Sequence, residues 1–292
     1  MVGLKEIRTR IASIKTTRQV TSAMKMVSAA KLKKAQDAIL QIRPYANKLY
    51  EILKSLELTF EENNKSVYTQ QREPEKILIV LVSSNRGLCG GFNLNIAKKA
   101  MLLVYTTYNR QHESGNVDFI CIGRQAERHI IAAGLNVIES HHELFDNLLI
   151  EESHKLAEKI MNLFAEGSYD RIELVYNQFL NAATQVNAAE QFLPVKSEKE
   201  KRKNQFYDYI FEPSKETLLQ DLIPRTLKIQ FYRALLDSNA AEHGARMTAM
   251  HQATDNATEL LKDLTLQYNK VRQASITREI LEIVSGAEAL KG

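Results

Sequence analysis

The residues best suited to chemistry in this chain sit in a Gly-rich stretch, Ser84-Asn85-Arg86-Gly87-Leu88-Cys89-Gly90-Gly91-Phe92, directly behind the apolar run Lys76–Ser83. Glycines that open a helix can free backbone amides to cradle a phosphate. The stretch carries neither Gly-x-Gly-x-x-Gly nor Gly-Lys-Ser/Thr, the spacings that aim such amides at a nucleotide. It therefore reads as a structural turn. His141-His142 offers imidazoles to a transition metal, but sequence neighbours do not share a helix face, and Glu143 is the one acid at ligand spacing. The doublet reads as solvated loop. His243 and His251 could share a helix face, yet neither has a ligand partner at i+4, so both read as polar helix-face residues. Cys89 and Cys121 lie in apolar, strand-like surroundings and read as buried free thiols. No Gly-x-Ser-x-Gly nucleophile elbow is present, and the acids show no acid/base pair spacing. The sequence thus assigns no catalytic, cofactor-binding or metal-binding residue.

The elements that must position these residues are announced by charge and by helix breakers. The 292 residues carry a net charge of only +4, with 44% hydrophobic and 25% charged residues. That total hides an asymmetry. Residues 1–57 hold 12 Lys/Arg against 4 Asp/Glu, residues 58–212 hold 17 against 21, and residues 213–292 hold 10 against 10. Residues 4–43 contain no Gly or Pro, and residues 225–285 contain only Gly244. Such a composition excludes a disordered chain, a collagen-like repeat and a disulfide scaffold. No apolar run approaches the roughly 18 residues of a membrane span. The basic amphipathic start continues too far, and with acids in it, to be a transit peptide. The chain reads as cytosolic, or as lying on the cytosolic face of something.

Leu4, Ile7, Ile11 and Ile14 follow a 3-4-3 spacing, one face of a helix or a coiled-coil seam. Polar Lys15–Gln19 interrupts the stripe, which resumes shifted at Val20, Met24 and Val27 and then runs through Ala35, Ile39 and Ile42. A shifted seam implies a local change in supercoil. One helix over about residues 3–58 would be about 80 Å long, more than a small domain can bury, so it needs a partner helix. In the middle, the run Lys76–Ser83 predicts a strand buried on both faces. A helix over about 93–108, a strand at 117–122, a helix near 124–133, a strand near Val137, a helix over about 150–166 and a strand at 171–179 follow. The alternation favours a parallel sheet, with a further edge strand near 184–195. Ser197–Gln205 reads as a basic exposed loop. Pro213 opens a short helix, and Pro224 suits the first turn of the next. Late apolar positions Ile276, Ile280, Ile283, Ala287 and Leu290 keep helical spacing.

The expected architecture is a long antiparallel coiled coil of N- and C-terminal helices plus an inserted, Rossmann-like α/β domain. Its divisions fall at 1–58 (first shaft helix), 75–196 (α/β domain), 197–212 (basic connection) and 213–292 (second shaft helix). The basic first helix could serve nucleic acid through charge alone, could be a solvated face, or could run inside an acidic protein partner. It lacks the interleaved aromatic residues of a nucleic-acid binder.

Three segments together resemble the gamma subunit of the F-type, proton-translocating ATP synthase of bacteria. They are Ile11–Leu32 with Met24-Lys25-Met26-Val27 at its centre, Ser84–Asn93, and Ala241–Ala287 with Tyr268-Asn269-Lys270-Val271-Arg272-Gln273-Ala274-Ser275-Ile276-Thr277 within it. The resemblance implies a non-catalytic rotor at the cytoplasmic face of the inner membrane, peripheral and attached only through its complex. It implies alpha and beta subunits around the shaft, with epsilon and the c ring at the foot. It implies no nucleic acid and no cofactor on this chain, Mg-ATP and Mg-ADP being handled on alpha and beta. By the same resemblance Met24, Lys25, Arg246, Arg272, Gln273, Thr277 and Glu279 contact the stator. Ile276, Ile280, Ile283 and Ala287 form a bearing tip, and Tyr207, Tyr209 and Glu212 lie in the foot near the c ring and epsilon. Asn85 departs from the Asp common in the family. Gly244 sits mid-helix at about 1 kcal/mol against Ala, which predicts a close neighbouring backbone.

Overall fold

The run after Lys76 is the strand β1 (Ile77–Val82), with all six residues buried. In the computed structural model, which describes residues 3–57, 66–195 and 215–289, it is the middle strand of a five-stranded sheet. The other strands are β2 (Val117–Ile122), β3 (Asn136–Ser140), β4 (Arg171–Phe179) and β5 (Gln185–Leu193), in the order β3-β2-β1-β4-β5. β1 runs parallel to β2 and β4, and β2 parallel to β3; β5 returns antiparallel on β4 as the edge strand. Alternation along a strand sends neighbouring side chains to opposite faces, so β1 feeds two cores. Leu78, Val80 and Val82 meet Leu156, Ile160 and Phe164 of the helix Ile150–Ala165. Ile77, Ile79 and Leu81 meet Ile96, Ala100 and Val104 of the helix Phe92–Thr107 and Ile130 of the helix Arg124–Ala132.

In chain order the helices are α1 (Leu4–Glu57), α2 (Phe92–Thr107), α3 (Asn109–Glu113), α4 (Arg124–Ala132), α5 (His142–Asp146), α6 (Ile150–Ala165) and α7 (Lys215–Ala289), with one 3-10 turn at Val67–Thr69. The chain divides into two compact units, Met1–Ser28 with Met247–Gly292 and Ala29–Arg246.

Two prolines lie inside long helices, Pro44 in α1 and Pro224 in α7. The predicted new start at Pro224 is not there; α7 is a single helix of 75 residues. An interior proline costs about 3 kcal/mol. Here the flanking residues Ile223, Leu227 and Phe231, all buried in the sheet's core, hold the helix through it.

The predicted seam shift is also absent. Inward positions of α1 run from Ile7 through Ile11, Ile14, Arg18, Thr21, Lys25, Ser28, Leu32, Ala35 and Ile39 in alternating steps of four and three. The heptad register never breaks; its middle is simply polar. Val20 and Val27, expected on the seam, are 52% and 57% exposed. Thr254 Oγ1 donates to Thr21 Oγ1 at 2.8 Å. Thr21 lies seven residues before Ser28 and Thr254 seven after Met247, so the helices pair antiparallel. At this register Ile11 stands level with Leu264, Ile7 with Tyr268 and Leu4 with Val271. Residues 272–289 of α7 therefore continue for about 27 Å beyond the start of α1, with all but Ser275 exposed.

Candidate functional site

The Gly-rich turn bonds to itself. Asn93, in the first turn of α2, accepts the Ser84 amide (3.0 Å) and donates to Ser84 Oγ (2.8 Å) and Cys89 Sγ (3.2 Å). Asn85 reaches across the sheet's end, accepting from the Arg124 amide (3.1 Å) and donating to the His142 carbonyl (2.7 Å). A carboxylate could accept the first bond but could not donate the second, which gives Asn85 a use that Asp would lack. Gly123 opens α4 at φ 99°; a Cβ there would lie 2.0 Å from the Ser83 carbonyl oxygen. Cys89 and Cys121 are buried and free, as expected. Burial raises both thiol pKa values, that of Cys121 to about 12, so they stay protonated at neutral pH and are poor nucleophiles.

One stretch of α7 closes over this turn. Ala241 and Ala245 pack on Cys89 and Phe92. Gly244 passes so close to the loop after β4 that a Cβ would lie 2.9 Å from the Ala182 carbonyl oxygen, the close backbone that its mid-helix position predicts. Arg246, 8% exposed, pairs with buried Glu242, and its Nη2 donates to the carbonyls of Arg86 and Gly87, each at 3.2 Å. Glu242 is shifted upward by burial, against the pull of Arg246. His243 is not an exposed polar residue but is buried at 8%. Burial, then Arg246 and Lys31, drive its pKa to about 4.

The histidine doublet is likewise no solvated loop. His142 opens α5 with Nε2 2.6 Å from Glu127 Oε2, and His141 Nε2 lies 3.1 Å from Glu139 Oε1. The two rings face different carboxylates, and no group of three or more ligating side chains suited to a metal occurs among the described residues. Sequence spacing hid the partner of His142, because Glu127 lies fifteen residues before it and only the β2-α4-β3 crossover brings it there.

The remaining candidate residues are surface features of the paired helices. Met24 and Lys25 are half-buried on α1, beside exposed Val20, Met26 and Val27. Arg272, Gln273, Thr277 and Glu279 are exposed on the continuing part of α7, where Thr277 Oγ1 donates to the Gln273 carbonyl (2.9 Å) and Ser275 Oγ to Glu279 (3.4 Å). Ile276, Ile280 and Ile283 are 47%, 54% and 71% exposed, and Ala287 is exposed as well. Arg246 stands apart from this group, engaged within its own chain. Tyr207, Tyr209 and Glu212 lie outside the described residues. Exposed Val20 and Val27 were the features the sequence concealed; following the heptad through its polar residues would have found them.

Chemistry is thus concentrated in structural bonds, and the class is a chain that joins an α/β sheet body to two long terminal helices. The family model described as ATP synthase matches residues 3–290. The ATP synthase gamma chain of Cytophaga hutchinsonii is 51% identical over 293 residues, 99% of each chain. That of Flavobacterium psychrophilum is 52% identical over 294 residues, 100% of each. Among solved structures, a chain in the rotor of the Euglena gracilis mitochondrial ATP synthase matches with a TM-score of 0.67 at 19% identity, covering 94% of this chain and 98% of that one. A chain in the central stalk and c-ring structure of the Tetrahymena thermophila enzyme gives 0.59 at 24%, covering 80% and 99%. At these identities the two structures speak for the fold. The chain belongs to the ATP synthase gamma-chain family.

Proposed function

We propose that this chain is the central-stalk rotor subunit of a bacterial F-type ATP synthase. It transmits torque between a proton-driven c ring and a catalytic hexamer of alpha and beta subunits. The α/β body forms the foot beside the c ring and epsilon, with Tyr207, Tyr209 and Glu212 near that contact. The paired helices form the shaft, which presents a different side to each beta subunit and so drives the three sites in turn through open, loose and tight states. Mg-ATP and Mg-ADP stay on alpha and beta, and the chain itself performs no catalysis. As a peripheral subunit it resides at the cytoplasmic face of the inner membrane, held by its complex; no described helix is long and apolar enough to cross a membrane.

The observation that carries this reading is the bare continuation of α7 past the start of α1, with exposed Ile276, Ile280 and Ile283. Isolated in water such a helix is marginal, and its exposed apolar groups call for a sleeve. At the start of that continuation, Arg272 and Gln273 offer charge-assisted and amide bonds to a stator loop. Met24 and Lys25 lie on the other helix, with Thr277 and Glu279 on the continuation. The +8 of the first 57 residues would attract acidic beta loops and set register.

Reconstitution with alpha and beta subunits tests the reading. The wild-type chain is expected to yield a hexameric complex with ATPase activity. Arg272→Ala with Gln273→Ala should lower that activity or its coupling roughly tenfold, the scale of one or two lost charge-assisted bonds. Lys98→Ala with Arg110→Ala, on α2 and α3, should leave it within about twofold, as surface changes usually do. Equal effects would refute the assigned shaft contact.

A further inference from the structure

A buried polar cluster that the rotor reading leaves unused lies where α7 leaves the α/β unit. Arg246 is the last residue of that unit. One guanidinium there joins Glu242, a turn earlier on its own helix, to the carbonyls of Arg86 and Gly87 in the turn behind β1. That turn is itself tied to α2 through Asn93, to α4 through the Arg124 amide and to the start of α5 through the His142 carbonyl. Lys31 and Asp146 also lie close enough to act on Glu242.

Stability alone is a poor reason for such a pair, because desolvating two charges offsets most of their attraction. Direction is a better one. Ala241, Gly244 and Ala245 present a smooth, small-residue face to the domain. Apolar contact of that kind resists separation but is non-directional, so it resists rotation of a helix about its own axis weakly. Hydrogen bonds to fixed carbonyls depend steeply on angle and do resist it. Arginine suits the task because its planar fork can hold a carboxylate and two carbonyls at once, which the point donor of lysine cannot.

We propose that Arg246, held by Glu242, is a latch that stops α7 from turning in its seat, so that torque on the α/β body reaches the shaft. This rests on the rotor reading and names the positioning residue through which the foot would drive the shaft.

The test uses the assembled complex in sealed vesicles, with Arg246→Ala, Arg246→Lys, and a paired Arg246→Met with Glu242→Leu. The pair removes both buried charges together, so that the fold is kept. Two quantities are read: protons pumped per ATP hydrolysed, and amide exchange at residues 86–91 in the full-length chain. The latch predicts that the pumping ratio falls roughly threefold in Arg246→Ala and in the paired variant, with partial recovery in Arg246→Lys. It also predicts exchange at the turn faster by roughly tenfold or more, the scale of a lost charge-assisted bond. A ratio that stays constant while both activities fall with the amount of complex would mark Arg246 as merely structural and overturn the proposal. Unchanged exchange at 86–91 would overturn it too. Failure of the wild-type chain to assemble would sink the rotor reading and the torque role with it, a result distinct from either of these.

Discussion

At the scale of single residues, the buried polar groups of α7 make the chain's stability depend on pH. His243 is held neutral by burial and by the nearby charges of Arg246 and Lys31, with its pKa near 4. Unfolded histidine takes a proton near 6.5. Between those values the unfolded state binds more protons, so this contribution is complete above about pH 6.5 and is lost as pH falls toward 4. Asp237 works in the opposite sense. Burial lifts it from 3.8 to about 6, against Arg233 and Arg43, so the folded state binds more protons between those values. Acidification through that window then adds stability. The two are separable by substitution. Between pH 7.5 and 5, wild type should lose about 2 kcal/mol more than His243→Gln in denaturant titrations. Parallel curves for the two proteins would show that His243 does not carry the effect.

Among the elements, α7 shows how one residue type can have opposite value at two places. Gly244 meets the Ala182 backbone at 2.9 Å from an added Cβ, whereas nothing lies within 4 Å of Gly286. Gly286→Ala should stabilise by up to about 1 kcal/mol through helix propensity. Gly244→Ala should lower the melting temperature despite that same gain, because a backbone oxygen cannot step aside as a flexible side chain can. Stabilisation by Gly244→Ala would disprove the tight approach. Much of the architecture was legible at this scale. β1's unbroken apolar run announces a strand with a core on each face, and the breaker-free ends announce two long helices. What was not legible depended on tertiary support. Pro224 looks like a boundary because the packing of Ile223, Leu227 and Phe231 that carries α7 through it is not local. Lys15–Gln19 looks like an interruption and Val20, Met24 and Val27 like a shifted seam because the true inward residues there, Arg18, Thr21, Lys25 and Ser28, are polar. His142 looks unpartnered because Glu127 reaches it only through a crossover.

For the whole molecule, the uneven charge and the uneven breakers describe a division of labour. The basic first helix, free of Gly and Pro through residue 43, and the neutral last helix pair antiparallel at Thr21 and Thr254. Residues 58–212, mildly acidic and holding seven of the eleven glycines, carry the sheet and its turns. The contact proposed for Arg272, Gln273, Thr277 and Glu279 rests on resemblance, since exposed helix residues have no periodic signature of their own. The inward engagement of Arg246 was invisible, because its partners Arg86 and Gly87 lie some 160 residues away. The central claim is that this chain turns. A complex of alpha, beta and this chain, fixed by beta to a surface and carrying a bead on an introduced cysteine in α2, should rotate in one direction in three equal steps per turn when ATP is added. ATP hydrolysis at an undiminished rate with a bead that only fluctuates about one angle would contradict it.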